Sequence, residues 1–147
     1  MSGFTRDPLQ LVLIDNADGR ASIKAGRCTW RLAAPISYDV GAKDSGETIT
    51  VPAGATTDFA SVPRFAWSII PPDGPWLKAA VIHDWLYRTR GTCALGGEVY
   101  RTRPAPYTRA EADRIFKEAM EVLGVPAWKR AVIYAAVRVG GRNAFGT

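Results

Sequence analysis

The chain has 147 residues, 47% hydrophobic and 22% charged, a composition that fits a folded globular chain and excludes wholesale disorder. No apolar run reaches the ~20 residues of a membrane-spanning helix, and the opening MSGFTRDPLQ carries no secretory pattern. The net charge is +5, with two cysteines and one histidine. Cys28 and Cys93 do not supply a disulfide framework, and a single histidine excludes any site built on two His ligands. The charge is also uneven: residues 1–75 hold seven basic and eight acidic side chains, and residues 76–147 hold twelve and six. A basic half of this kind suits an anionic surface or a solvated helical face.

In chain order, the first half reads as short strands separated by turns. Leu9 to Ile14 is an apolar run between Asp7-Pro8 and the turn-rich DNADG. Cys28 to Ala33 alternates around Trp30 and Leu32. Ile36, Tyr38 and Val40 alternate after Pro35, and Glu47 to Val51 is β-branched until Pro52 and Gly54 stop it. The second half reads as helices. Trp76 to Arg88 is apolar nearly all round, which predicts a buried helix. Gly91 to Tyr107 reads as a long polar and glycine-rich loop. Thr108 with Glu111 three residues later is a capping box for a second helix, which ends at Gly124. Pro126 opens a third helix that runs to about Val139, before Gly140-Gly141. The expected fold is α+β: a small, mostly antiparallel sheet packed with about three helices. It is expected as one domain over residues 1–147, strand-rich in 1–60 and helix-rich in 61–142, with a short C-terminal tail.

The candidate chemistry starts from His83 and Asp84, adjacent in the most apolar helix. At 100° per residue, Asp84 falls among the directions of Leu77, Ala80 and Tyr87. A carboxylate there needs a metal ion, an arginine or several hydrogen-bond donors. Asp113 borders the apolar stripe of the second helix beside Ala112 and Phe116, so two acids and the histidine are expected to share a polar site between packed helices. His83, with an unperturbed pKa near 6.5, suits a general base acting on water, and Asp113 would fix its tautomer. Asp84 and Asp58 are oxygen donors suited to a hard cation such as calcium or magnesium. Asp58 also reads as the cap of a short turn through Ser61 and Val62. The competing expectation is a buried polar network of His83, Asp84 and Asp113 that only joins the helices. Zinc-finger spacing, RNP-type aromatics and a basic helix are all lacking, and no specific nucleic-acid binding is expected.

The succession Thr57-Asp58-x-Ala60-Ser61-x-Pro63-Arg64, His83-Asp84-x-Leu86-Tyr87 and Ala112-Asp113-x-x-Phe116 resembles a phage and prophage family of unknown function over about residues 28–142. That resemblance implies a bacteriophage or prophage origin; the expectation built on it is synthesis in a host cytoplasm and incorporation in a virion, with other phage structural proteins as partners. Within it, His83-Asp84-x-x-Tyr87 followed by Ala112-Asp113-x-x-Phe116 is similar to the two-helix core of phospholipases A2, above all the cysteine-poor viral type. This second resemblance implies His83 as general base, Asp84 as calcium ligand, Asp113 as support for the histidine and Tyr87 as the group that orients Asp113. The glycine-rich calcium loop of those enzymes has only Pro72-Asp73-Gly74 in its place. Together these readings predict a tail-associated hydrolase acting on the bacterial envelope, with Trp67, Trp76 and Trp85 facing an anionic, amphipathic surface. The alternative is a structural component of tail, neck or capsid. Solvent access to His83 separates the two.

Overall fold

The computed structural model describes residues 3–4, 9–14, 23–24, 27–41, 46–57, 62, 66, 76–95, 98–101, 103 and 105–140. Among the described residues the first half contains eight short strands: β1 (Gly3–Phe4), β2 (Leu11–Leu13), β3 (Ile23–Lys24), β4 (Arg27–Cys28), β5 (Trp30–Leu32), β6 (Ile36–Asp39), β7 (Thr48–Val51) and β8 (Thr56–Thr57). Then follow α1 (Leu77–Thr89), β9 (Thr92–Leu95), β10 (Glu98–Arg101), α2 (Arg109–Val122) and α3 (Ala127–Gly140). The class is α+β, as the pattern of residues predicts.

The strands form several small sheets instead of one. Among the described residues, β1-β6-β7 and β2-β5-β8 are three-stranded, while β3-β4 and β9-β10 are two-stranded; every pairing is antiparallel. The alternation seen in the sequence sets the faces of β6 and β7, where Ile36, Tyr38, Ile49 and Val51 are buried. Their partners Ser37 and Thr50 meet across the strands through their hydroxyls at 2.9 Å.

The segment expected as a loop between Gly91 and Tyr107 contains the β9-β10 hairpin, with Leu95 opposite Glu98. In the sequence, Gly96-Gly97 between these strands is a hairpin signal, outweighed by the surrounding glycine and polar content. The chain reaches the hairpin through Arg90 and Gly91, both at positive φ, which turn it sharply away from the end of α1.

Helix α1 is buried from Ala79 through Tyr87 because it lies between the sheets and α2. It packs on β7 and β8 on one side and on α2 on the other, and α2 in turn packs on α3. The capping box of α2 is formed in full: Thr108 Oγ1 accepts from the Glu111 amide at 3.1 Å, and Glu111 accepts from the Thr108 amide at 3.1 Å. Tyr38 ties β6 to α2 by donating to Glu118 at 2.5 Å, and the Gly41 amide donates to the same carboxylate. Leu32, Ile49, Leu86, Phe116 and Ile133, drawn from both halves of the chain, belong to one hydrophobic cluster. No helix among the described residues is long and apolar enough to cross a membrane. The C-terminal tail, Asp58, Ser61, Trp67 and Pro72-Asp73-Gly74 lie outside the described residues.

Candidate active site

Helical geometry decides what each polar residue of α1 touches. His83 and Tyr87 are four residues apart and therefore share the face that meets α2. Asp84, turned by about 100°, is directed elsewhere. On α2, Asp113 lies on the buried edge with Ala112 and Phe116.

His83 and Asp113 are both wholly excluded from solvent, and His83 Nε2 lies 2.7 Å from Asp113 Oδ1. The Tyr87 hydroxyl donates to the same Oδ1. The imidazole is held between two rings, with Tyr87 at 4.2 Å and Phe116 stacked at 4.4 Å. The structure thus brings His83, Tyr87 and Asp113 into one contact network.

The second oxygen of Asp113 is taken by a residue the sequence did not single out. Arg138 Nη1 in α3 donates to Oδ2 at 2.7 Å. Arg109, four residues before Asp113, donates to the carbonyls of Val137 and Arg138, holding the end of α3 against the start of α2. Nothing local in the sequence marks Arg138, because the contact spans 25 residues and depends on how α3 crosses α2.

Electrostatics follow from burial and partners. Burial lowers the pKa of His83 below its ordinary value, outweighing the upward pull of Asp113 and Asp84. Burial alone would raise Asp113. The hydrogen bonds from His83 and Tyr87, and the pairing with Arg138, more than reverse that effect and hold it below its ordinary value. Tyr87 is pushed up, first by burial and then by Asp113. The resting pair is therefore a neutral imidazole on an ionised carboxylate. A carboxylate only accepts, so the imidazole proton is on Nε2 and the basic lone pair is on Nδ1.

Asp84 has different partners. Its Oδ2 accepts from Thr57 Oγ1 at 2.7 Å, and Arg88 Nε approaches it at 3.3 Å. Thr57 reaches it because β8 pairs with β5 and lies against α1. Arg88 also donates to the Thr56 carbonyl at 3.1 Å. Of the three ways to satisfy a buried carboxylate here, the described residues use an arginine and a hydroxyl. The i, i+4 spacing of Asp84 and Arg88 is legible in the sequence. At Oδ2 the positive charge is supplied by a guanidinium, and Asp58, the other oxygen donor expected for a cation, lies outside the described residues. Among the described residues no three His, Cys, Asp or Glu side chains are grouped to hold a metal.

Two tryptophans expected on an outer surface are core residues: Trp76 is wholly buried and Trp85 nearly so. For Trp85 this follows from the position of α1 between two layers, where an all-round apolar helix has no outer face; Trp76 is the residue immediately before that helix.

An uncharacterized protein of Sinorhizobium fredii, y4jT, is 33% identical to this chain over 117 residues, or 78% of the chain. The chain spans only 30% of that relative's length. No solved structure matches. A family model matches residues 30–137, a stretch that includes β5, α1, α2, most of α3 and the His83, Asp84 and Asp113 motifs. The chain therefore belongs to the family described as protein of unknown function DUF1353.

Proposed function

We propose that this is a phage- or prophage-encoded, virion-associated protein with a hydrolase-type His83–Asp113 site that acts on esters of the bacterial envelope. The observation that carries this reading is the 2.7 Å contact between His83 Nε2 and Asp113. It fixes the imidazole with its basic atom at Nδ1, the arrangement a general base needs to deprotonate water. In the proposed step the water oxygen bonds to the ester carbonyl carbon while its proton passes to Nδ1. The carbon–alkoxide bond then breaks and the alkoxide leaves with that proton. Asp113 stabilises the imidazolium formed between these events, and Tyr87 and Arg138 hold Asp113 in place. His83 is wholly buried, which by the criterion of solvent access counts against this reading, and the hydrolase reading therefore requires an opening of the packing around it.

That burial specifically favours a second reading, in which the same residues form a polar lock between α1 and α2 of a non-catalytic particle component. Phospholipid vesicles separate the two. The hydrolase reading expects fatty-acid release by the parent chain and its loss in folded His83→Gln and Asp113→Asn variants. Absence of hydrolysis by the parent, or equal hydrolysis by parent and variants, overturns it.

A further inference from the structure

Six large hydrophobic side chains are conspicuously exposed among the described residues, and three of them are on α3: Trp128 at 62%, Val132 at 38% and Val139 at 82%. Their spacing puts them on one face, where the exposed Ala131 and Ala135 complete an unbroken apolar stripe. At 1.5 Å per residue the stripe from Trp128 to Val139 is about 16 Å long. The opposite face, with Ile133 and Val137, is the one buried in the core. A helix with its inner face already packed has no folding reason to carry a second apolar face.

The charges that α3 itself carries are of one sign. Helix α3 holds Lys129, Arg130 and Arg138 and no acidic residue. Lys129 Nζ lies 5.5 Å from the centre of the Trp128 ring, and Lys117 of α2 lies 5.1 Å from that of Tyr134. An exposed tryptophan with aliphatic neighbours and a cationic margin suits the boundary between lipid headgroups and acyl chains. Pairing of this face with itself in a second copy would bring cationic margins together with no acid in α3 to balance them.

We infer that the Trp128–Val132–Val139 face of α3 docks on an anionic lipid bilayer. This deepens the proposed function by naming the surface that would deliver the His83 site to its substrate. The apolar stripe enters the headgroup region, and Lys129 and Lys117 meet lipid phosphates. Arg138, at the flank of the same helix, links the docking face to Asp113.

Sedimentation of the full chain with vesicles tests the inference. Binding is expected to vesicles containing phosphatidylglycerol and to be much weaker with phosphatidylcholine alone. Trp128→Ser/Val132→Ser/Val139→Ser, all at exposed positions, should weaken binding roughly tenfold or more, and Lys129→Glu should do so by a similar factor. Circular dichroism of both variants checks that the fold is kept. No binding by the parent, equal binding to both lipids, or full binding by the triple variant overturns the inference. So does a parent dimer that the triple variant converts to monomer while vesicle binding is unchanged. Vesicle binding without fatty-acid release leaves this docking face standing while the hydrolase reading fails. Ester hydrolysis without vesicle binding does the reverse.

Discussion

Arg138 holds Asp113 from the side opposite His83: its Nη1 lies 2.7 Å from Oδ2, while His83 Nε2 lies 2.7 Å from Oδ1. One buried carboxylate thereby joins three helices, since His83 belongs to α1, Asp113 to α2 and Arg138 to α3. A carboxylate enclosed in this way is held ionised, because its charge is matched on one side and accepts hydrogen bonds on the other.

Replacing Arg138 with alanine removes the counter-charge but not the burial of Asp113. The guanidinium side chain is itself 35% exposed. Water can enter where it stood, so the loss should be well below that of a fully buried pair, about 1–2 kcal/mol. Urea unfolding of Arg138→Ala measures it. An unchanged midpoint would show that the pair contributes nothing net. If Asp113 supports a general base, hydrolysis should fall in the same variant by a larger factor than the stability does.

The pH dependence of stability follows from two groups shifted in one direction. His83 is lowered from its ordinary 6.5 by burial, so between that value and its folded value the unfolded chain binds more protons. Asp113 is lowered from its ordinary 3.8, since its hydrogen bonds and Arg138 outweigh the effect of burial, and the same inequality holds in a more acidic window. Both contributions are present in full above the unfolded pKa and are lost as pH falls toward the folded one. Stability should therefore decline from about pH 6.5 downward in a first phase due to His83 and in a second near and below pH 4 due to Asp113. Urea titrations across this range should show the first phase disappear in His83→Gln. Its persistence in that variant would assign it elsewhere.

What could be read from the chain depended on the range of each interaction. The capping box of α2, the buried character of α1 and the turn at Gly124 are local, and all are found in the structure. The joining of His83 and Asp113 was legible because burial leaves few options for a histidine and an acid on two apolar faces; Tyr87 entered only through the resemblance, and Asp84, expected in the same site, turns to Thr57 and Arg88 instead. The opposite sides of Asp113 and Asp84 were not legible. Arg138 reaches Asp113 only through the crossing of α3 over α2, and Thr57 reaches Asp84 only through the pairing of β8 with β5. The tryptophans show the same limit: apolarity predicts burial, but only packing distinguishes Trp85 in the core from Trp128 outside it.

Calcium should leave thermal unfolding unchanged. Asp84 Oδ2 accepts from Thr57 Oγ1 and is approached by Arg88 Nε, so an ion at that oxygen must displace a guanidinium held also by the Thr56 carbonyl. A ligand at a hundred times its Kd stabilises by about 2.7 kcal/mol, which for a chain of this size raises Tm by several degrees. Scans of the parent with millimolar calcium or with a chelator should superimpose. A rise in Tm with calcium that vanishes in Asp84→Asn would restore Asp84 as a metal ligand.

Two glycines separate backbone strain from steric clash. Gly54 and Gly91 have φ of +90° and +88°, so an alanine at either position costs about 1 kcal/mol in backbone conformation. Around Gly54 an added Cβ meets nothing within 4 Å. At Gly91 it would lie 2.6 and 2.8 Å from the Cδ2 and Cε2 atoms of Tyr107. That ring cannot easily retreat: Tyr107 is buried, its amide donates to the Arg90 carbonyl at 2.9 Å, and the Arg103 guanidinium covers the ring at 3.9 Å. Gly91→Ala should therefore cost about 3 kcal/mol against about 1 kcal/mol for Gly54→Ala, with the excess due to overpacking. Denaturant unfolding of the two variants gives the comparison. Adding Tyr107→Leu to Gly91→Ala should recover part of the excess through coupling between the two sites, because the branched side chain lacks the ring edge that the new methyl strikes. Equal losses at Gly54 and Gly91 would mean that the Tyr107 ring moves aside at no cost, and the close packing of α1's exit turn against Tyr107 would then contribute little to stability.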